Sequence, residues 1–309
     1  MLDRSHFDQQ FETLLLSQDK GAHGYLRHHE QRFYELFDTL AHYIGDHDRP
    51  EVLEIGTSPF TLLYKRLFPD IRLTTIDRPT EMGGANTDFS RKDAQAIAHH
   101  NIDLNTQALP ADLGRFDYIV FSEILEHLVI NPTQMMEELI ALLKPDGYLY
   151  LTTPNFFSYH LLARMARRDN PQVVMHRRGE DPDAAYHFRE YALNELVESA
   201  IEAGGSVVVA ETSSCWESAE HKGQLADFPY LYSNLILMVM PAASTRHPAI
   251  TEPVMTGPFD PLKQDLPTFL ANKQVVEAEA REIADLRSRL ARYETGPLSG
   301  LIRWLAKRH

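Results

Sequence analysis

The chain has 309 residues, of which 43% are hydrophobic and 24% are charged, as is typical of a globular protein and not of a disordered one. Its 44 acidic and 30 basic residues give a formal net charge of -14, which disfavours a nucleic-acid partner. The single cysteine, Cys215, excludes an internal disulfide, and no apolar run is long enough to span a bilayer. Because Met1 does not begin a basic-then-apolar leader, a cytoplasmic protein is expected.

The first elements predicted along the chain are a helical cap and a strand–helix–strand unit. Apolar residues at helical spacing predict an amphipathic helix over residues 27–44, within an N-terminal helical cap of residues 1–45. The letters EVLEIGTSPF then indicate a short strand with a glycine-containing turn, TLLYKRLF a helix, and IRLTTID a second strand ending at Asp77. This order is typical of a parallel sheet whose strands are joined by helices.

Further strands and helices follow in alternation. A third strand is predicted at residues 101–104 and a fourth at 117–121, after which a helix begins at Pro132 and is closed by a turn at 144–147. The letters YLYLTTP predict a fifth strand, LNELVESAIEAGG a helix, and SVVVAE and NLILMVM two late strands. The sequence therefore predicts an α/β fold with a doubly wound, mostly parallel, seven-stranded sheet.

The predicted domain boundaries follow changes in composition. Residues 46–240 form the main domain, with a charged insertion at 156–186, and six prolines predict a linker at 241–267. Residues 268–309 are expected to form a coiled-coil helix with a basic amphipathic end. The heptad positions are Phe269, Val276, Ile283 and Leu290. The coiled coil either joins copies of the chain into a homo-oligomer or packs on the main domain, and the basic end favours peripheral contact with an inner membrane.

Polar and small residues stand where the predicted strands end. In an open parallel sheet, ligands bind at the carboxyl ends of the strands, near the point where the strand order reverses. Asp77, after the second strand, is placed to accept two hydrogen bonds from a ribose diol, and Gly56, after the first, lets the backbone approach a nucleoside closely. The first turn contains neither GxGxxG nor GxxxxGK, so a dinucleotide or a nucleoside triphosphate is disfavoured.

Six segments, in order, resemble the motifs of class I S-adenosylmethionine-dependent methyltransferases. They are VLEIGTSPF, TTID, IDLN, FDYIVFSEILEHL, LLKPDGYLYLTTPN and HFREYALNELVESAIEAGG, and the resemblance spans about residues 50–240. The resemblance implies a Rossmann-like methyltransferase sheet that binds S-adenosyl-L-methionine, with Asp77 on the ribose, Asp103 on the adenine edge, and Glu54 with Gly56 on the methionine side. The full set of implied cofactor contacts is Glu54, Gly56, Thr57, Ser58, Asp77, Asp103 and Ser122. The chain departs from the family pattern at its glycine-rich turn, where Ser58 and Phe60 occupy the second and third glycine positions.

The segment FSEILEHL resembles the ExxEH motif of the ubiquinone-biosynthesis O-methyltransferases and the small-RNA 2'-O-methyltransferases. That resemblance implies that a divalent cation, Mg²⁺ or Mn²⁺, is held by Glu123, Glu126, His127 and His187. In relatives without a metal the same motif shapes the pocket, and His127 or His187 would then act as general base on the acceptor hydroxyl. In both cases the catalytic side chains are expected to be His127, His187 and Glu123.

The whole pattern is interpreted as an O-methyltransferase acting on a hydroxyl. The tail resembles those of bacterial surface-polysaccharide enzymes, so the first expectation for the acceptor is a sugar hydroxyl of a cell-surface glycan or its precursor. An aromatic or quinone-precursor hydroxyl is the second, and an RNA 2'-hydroxyl, which the net charge opposes, is the third.

Two alternatives belong to other classes of protein. One is a non-catalytic scaffold with a methyltransferase-like fold, which acts through the coiled coil. Deleting residues 262–309 would remove the only role of a scaffold but would leave cofactor binding by an enzyme intact. The other is an oxidoreductase with the same sheet, which the missing phosphate loop disfavours.

Overall fold

The main domain is built on one seven-stranded sheet. The computed structural model describes residues 1–44, 47–79, 87, 89, 96–170 and 187–244. The strand order is β3-β2-β1-β4-β5-β7-β6, and β7 runs antiparallel to β5 and β6 while the remaining pairs are parallel. The strands are β1 (Glu51–Ile55), β2 (Arg72–Asp77), β3 (Ala98–Asn101), β4 (Phe116–Ser122), β5 (Leu143–Pro154), β6 (Gly205–Ser213) and β7 (Asn234–Pro241).

Helices cover both faces of this sheet, so the doubly wound α/β architecture is confirmed. They are α1 (Arg4–Leu16), α2 (His23–Ile44), α3 (Thr61–Leu67), α4 (Pro132–Ala141), α5 (Tyr159–Ala166), α6 (Leu193–Glu202) and α7 (Ala219–Gln224). Apolar side chains of α1, α2 and α3 share one core cluster with one face of the sheet, and those of α4 and α6 share a second cluster with the other face. Among the described helices, none is both long enough and apolar enough to cross a membrane.

Successive side chains of β5 alternate between these two layers. Tyr148 and Tyr150 belong to the α1–α3 layer, whereas Leu149 and Leu151 belong to the α4–α6 layer. Since a strand in the middle of such a sheet is buried on both faces, it is hydrophobic almost throughout. The same alternation places Thr152 and Thr153, near the end of the strand, on opposite faces of the sheet. Their contacts in the site described below differ for this reason.

Two predicted boundaries were wrong. The third strand is Ala98–Asn101 and not residues 101–104. Among the described strands it lies at the edge of the sheet and pairs with β2 alone, so its polar side chains keep their contact with water. The apolar pattern that indicates a buried strand is therefore missing. The turn predicted at 144–147 lies inside β5, where five residue steps from Leu143 to Tyr148 oppose two steps of β4. The turn residues therefore form an irregularity of the strand and not its end.

Several predictions concern residues outside the described part of the chain. They include residues 171–186 of the insertion, the linker beyond residue 244, and the coiled coil with its basic end at 268–309. These predictions, and the oligomer and membrane contacts based on them, stay predictions.

Candidate active site

A cavity of about 460 Å³ opens at the carboxyl ends of β1, β2 and β4, beneath α2. In this sheet the chain goes from β1 to β2 and β3 on one side, then to β4 and β5 on the other, so the cavity lies where the strand order reverses. Six of the seven predicted cofactor residues line it, namely Glu54, Gly56, Thr57, Ser58, Asp77 and Ser122. Two of the predicted catalytic residues, Glu123 and His127, line the same cavity.

Gly56 closes the first strand in a conformation that requires glycine. Its φ angle is 81°, and a Cβ atom there would lie 2.2 Å from Cδ1 of Ile124. Its amide donates to the carbonyl of Ile76 at 2.8 Å, which links the ends of β1 and β2. The missing side chain leaves backbone exposed to a ligand in the cavity.

The Asp77 carboxylate is oriented from the neighbouring loop. One oxygen accepts from the amide and the hydroxyl of Thr57, at 2.9 and 2.6 Å, and the other accepts from the amide of Arg78 at 2.7 Å. A carboxylate oxygen can accept about two hydrogen bonds, so acceptor capacity remains on the oxygen that accepts from Arg78. This free capacity fits the role of holding a ribose hydroxyl.

Glu54 and Arg32 place a buried acid and a buried cation in the same wall of the cavity. Burial raises the pKa of Glu54 to about 8, although the Thr61 hydroxyl donates to it at 2.7 Å. Burial therefore favours the protonated form of Glu54. Arg32 donates to the hydroxyl of Ser122 at 2.7 Å and stacks 4.5 Å from the ring centroid of Phe33.

The aromatic residue in the turn after β1 faces away from the cavity. Phe60 is fully buried and stacks on Phe33 with ring centroids 3.8 Å apart, inside the α1–α3 layer. It does not line the cavity, whereas Ser58 does. The departure from the family pattern at this position therefore anchors α2 to the sheet and leaves the cavity open.

A chain of hydrogen bonds connects α2 with Glu123. It runs from Arg32 to Ser122, from Ser122 to Thr152, and from Thr152 to a carboxylate oxygen of Glu123, with each contact at 2.7 Å. Because the single hydroxyl hydrogen of Thr152 points to Glu123, the bond between the two hydroxyls is donated by Ser122. Glu123 itself has a φ angle of 57°, which is uncommon for a residue with a side chain and marks a constrained position.

The second glutamate of the ExxEH segment lies with the two histidines. Thr153 donates to one oxygen of Glu126 at 2.9 Å, while the other oxygen is buried 3.9 Å from Nε2 of His127. The rings of His127 and His187 are 5.0 Å apart, and one ligand atom from each of Glu126, His127 and His187 lies within 4.8 Å of the others. Within the described residues, Glu123 is not a member of this group.

The two glutamates also differ in the causes of their raised pKa values. Burial raises the pKa of Glu123, and Arg32 opposes this increase most strongly. Burial raises the pKa of Glu126 well above its ordinary value, and the neighbouring Glu123 raises it further. Thr152 binds Glu123 and Thr153 binds Glu126, so the two carboxyls of the ExxEH segment lie in different environments.

Asp103 is the predicted cofactor residue that does not line the cavity. Its two carboxylate oxygens accept from the amide of Asn105 at 3.1 Å and from the hydroxyl of Thr106 at 2.8 Å. Asn105 lines the cavity instead. Neither Asn105 nor the paired threonines near the end of β5 were predicted as site residues, although the letters TTP at the end of a predicted strand were a signal for the threonines.

The strand order and the cavity at its reversal point define a Rossmann-like methyltransferase fold. Residues 28–200 match the family described as "Methyltransferase domain", and the chain belongs to this family. Membership implies that S-adenosylmethionine donates the methyl group. No curated protein matches the chain.

Three solved structures that are similar to this chain are described as methyltransferases or as a complex with one. The complex of the Haloferax volcanii Trm112 methyltransferase activator with a methyltransferase matches at a TM-score of 0.48 and 16% identity, over 75% of this chain and 97% of that one. The glycopeptide N-methyltransferase MtfA matches at 0.42 and 16%, over 68% and 90%. An O-methyltransferase family 2 protein from Planctomyces limnophilus, in complex with apigenin, matches at 0.40 and 13%, over 62% and 50%. These distant likenesses do not define the atom or the molecule that accepts the methyl group.

Proposed function

We propose that the protein transfers the methyl group of S-adenosylmethionine to a hydroxyl oxygen. The observation that supports this proposal is the group of side chains that can accept a proton beside the cofactor cavity, namely Glu123, His127 and His187. A hydroxyl is a weak nucleophile until it loses its proton, whereas a neutral amine attacks with its lone pair. A cluster of bases next to the cofactor therefore favours oxygen as the accepting atom.

The residues of the cavity supply orientation and proton transfer. Asp77 holds the ribose diol, and Arg32 offers its buried guanidinium to the carboxylate of the methionine moiety. S-Adenosylmethionine supplies the reactivity itself, as a methyl carbon on a sulfonium. His127 takes the proton of the acceptor hydroxyl at a ring nitrogen, while the reacting oxygen is held about 3 to 3.5 Å from the methyl carbon.

The proposed acceptor is a sugar hydroxyl of a bacterial cell-surface glycan or of its precursor. The polar character of the ExxEH region supports a polar acceptor, and the resemblance of the tail to surface-polysaccharide enzymes supports a glycan. The net charge of -14 opposes an RNA acceptor, because a polyanion would be repelled.

Two alanine variants separate the cofactor side from the acceptor side. Asp77→Ala should weaken binding of S-adenosylhomocysteine at least tenfold, because charge-assisted hydrogen bonds contribute about 1.5 to 3 kcal/mol each. His127→Ala should bind S-adenosylhomocysteine within about twofold of wild type but transfer methyl at least a hundredfold more slowly, as expected for a lost general base. Calorimetry and a radiolabelled methyl-transfer assay with sugar, aromatic and RNA acceptors measure both quantities.

An equal loss of cofactor affinity in the two variants would mean that the acceptor side has been misplaced. Transfer to an aromatic acceptor but to none of the sugars would show that the proposed acceptor is wrong. The proposed O-methyltransferase activity would still hold.

A divalent cation is the alternative to His127 as the group that activates the hydroxyl, because an imidazole that holds the cation is not available as the base. Glu126, His127 and His187 could hold the cation. One observation supports this: a buried carboxylate oxygen of Glu126 has no hydrogen-bond partner among the described residues. One carboxylate and two imidazoles suit Mn²⁺ better than Mg²⁺. A cation held there would favour the ionised form of a nearby hydroxyl.

The cation is tested without reference to activity. Titration of the protein with Mn²⁺, followed by electron paramagnetic resonance, should show binding that Glu126→Gln weakens at least tenfold. If wild type and variant bind Mn²⁺ equally well, Glu126 does not hold a cation, and His127 stays the proposed base.

A further inference from the structure

Thr152 is a residue of β5 that contacts Glu123 twice. Its carbonyl accepts from the backbone amide of Glu123 at 2.9 Å, and its hydroxyl donates to a carboxylate oxygen of Glu123 at 2.7 Å. The side chain of Thr152 is fully buried, and by the alternation along β5 it lies on the same face of the sheet as α2. One residue therefore holds both the backbone and the side chain of Glu123.

The backbone of Glu123 needs this support because it turns sharply after β4. The strand ends at Ser122, and the φ angle of 57° at Glu123 is uncommon for a residue with a side chain. A conformation of this kind persists where the surrounding structure enforces it, and it is found most often at functional sites. Here it brings Glu123 into the wall of the cavity.

The hydrogen bonds that lead to Glu123 have a defined direction. The guanidinium of Arg32 can only donate, so the oxygen of Ser122 accepts from it and the hydroxyl hydrogen of Ser122 is available for another partner. That partner is the hydroxyl of Thr152 at 2.7 Å, beside Ser122 in the register of the β4–β5 pair. Thr152 therefore keeps its own hydrogen for Glu123.

Glu123 lies across the cavity from Asp77. In the sheet, β1 separates β2, which ends at Asp77, from β4, which Glu123 follows. Arg32, the proposed partner of the methionine carboxylate, donates to Ser122 at the end of β4. A cofactor whose ribose is held by Asp77 therefore extends its methionine moiety over the end of β1 toward β4. Of the two acids, Glu123 is the one at the methyl end of this cofactor.

We propose that Thr152 is a positioning residue, which holds the carboxylate of Glu123 at the methyl end of the cofactor so that it accepts a hydrogen bond from the attacking group. The proposal rests on the proposed function, because it takes S-adenosylmethionine as the methyl donor. Thr152 itself contacts neither the cofactor nor the acceptor, so its effect passes through Glu123.

Two cofactor analogues test this contact without an acceptor. S-Adenosylhomocysteine lacks the methyl group, whereas sinefungin carries an amine on carbon at that position. In the wild-type protein the ammonium of sinefungin should donate to Glu123, so sinefungin should bind about tenfold more tightly than S-adenosylhomocysteine by calorimetry. Glu123→Gln should remove most of this preference, because an amide carries no charge. Equal binding of the two analogues by the wild type would show that the proposal is wrong.

Substitutions of Thr152 test whether it acts through Glu123. Thr152→Val keeps the shape of the side chain but removes the hydroxyl, so the preference for sinefungin should fall by about threefold or more. The affinity for S-adenosylhomocysteine should stay within about twofold of wild type, because that analogue makes no contact with Glu123. Thr152→Ala, a second variant without the hydroxyl, should behave in the same way.

Two further variants are the controls. Thr152→Ser restores the hydroxyl and should keep the wild-type preference, although it packs less well than threonine. Thr153→Val removes a hydroxyl at the next position, on the opposite face of the strand, where it donates to Glu126. It should leave the preference for sinefungin unchanged.

The proposed function and this inference fail in different ways. Absence of S-adenosylhomocysteine binding by the wild-type chain would remove both. The inference alone would be overturned if folded Thr152→Val and Thr152→Ala, verified by thermal unfolding, keep the wild-type preference. It would also be overturned if Thr152→Ser loses as much of the preference as Thr152→Val does.

Discussion

Glu54 is a buried carboxyl whose protonation should couple stability to pH. Its pKa is raised from 4.5 to about 8, mainly because burial disfavours the charged form, and Asp77 adds to this effect. Between pH 4.5 and about 8 the folded protein keeps a proton that the unfolded chain has lost. The folded state therefore loses stability as pH rises through this window, by up to about 1.4 kcal/mol per pH unit for one proton.

Glu54→Gln should reduce this pH dependence. The difference in unfolding free energy between pH 5 and pH 7.5, measured with urea, should be smaller in the variant by roughly 3 kcal/mol. It should not vanish, since burial also raises the pKa values of Glu123 and Glu126 and gives the same sign. Glu51→Gln, at the other end of β1, is the control. An unchanged pH dependence in Glu54→Gln would show that Glu54 is ionised in the folded protein.

At the residue scale, the sequence predicted which residues lie at the site better than it predicted which way their side chains point. Asp77 and Gly56 could be predicted because an open parallel sheet binds ligands at the carboxyl ends of its strands, near the point where the strand order reverses. The orientation of Phe60 could not be predicted, since it depends on the stack with Phe33 from a helix distant in sequence. The involvement of Asp103 in its own turn depends likewise on local hydrogen bonds, which strand and helix patterns do not encode.

At the scale of elements, the turn after β1 determines whether a cofactor can enter. Gly56→Ala should abolish measurable binding of S-adenosylhomocysteine, because the new Cβ would meet Ile124 at 2.2 Å in a conformation that side chains rarely adopt. It should also lower the free energy of unfolding by about 1 to 3 kcal/mol.

Gly204→Ala is the matched control for this variant. Gly204 has a φ angle of 80°, close to the 81° of Gly56, but a Cβ there would meet nothing within 4 Å. It should therefore show the cost of backbone strain alone, with cofactor affinity unchanged. Cofactor binding by Gly56→Ala as tight as in wild type would contradict the position assigned to this turn.

The elements themselves were predictable to different degrees. Buried strands such as β4 and β7 could be predicted because they are hydrophobic on both faces. The edge strand β3 has mostly exposed polar side chains and gives no such pattern. Residues 144–147 have the composition of a turn, but the residues on both sides of them pair with β4. They therefore form an irregularity inside β5. The different partners of Glu123 and Glu126, Thr152 and Thr153, depend on how β5 lies beside the ExxEH segment, which strand and helix patterns alone do not give.

At the scale of the whole molecule, the strand order links the fold to the function. The order β3-β2-β1-β4-β5-β7-β6 brings residues from positions 25 to 128 of the chain around one cavity. The family match over residues 28–200 covers the same region and identifies the methyl donor. A fold alone does not determine the acceptor, which depends on the side chains around the ExxEH segment.

The most direct test of the central claim is calorimetric titration of the full chain with S-adenosylhomocysteine, repeated with Mn²⁺ and with a chelator. The account predicts micromolar binding at one site per chain, weakened by Asp77→Ala and retained in the chelator. Absence of binding under every condition, by a protein shown to be folded, would contradict the claim that this cavity holds the methyl donor.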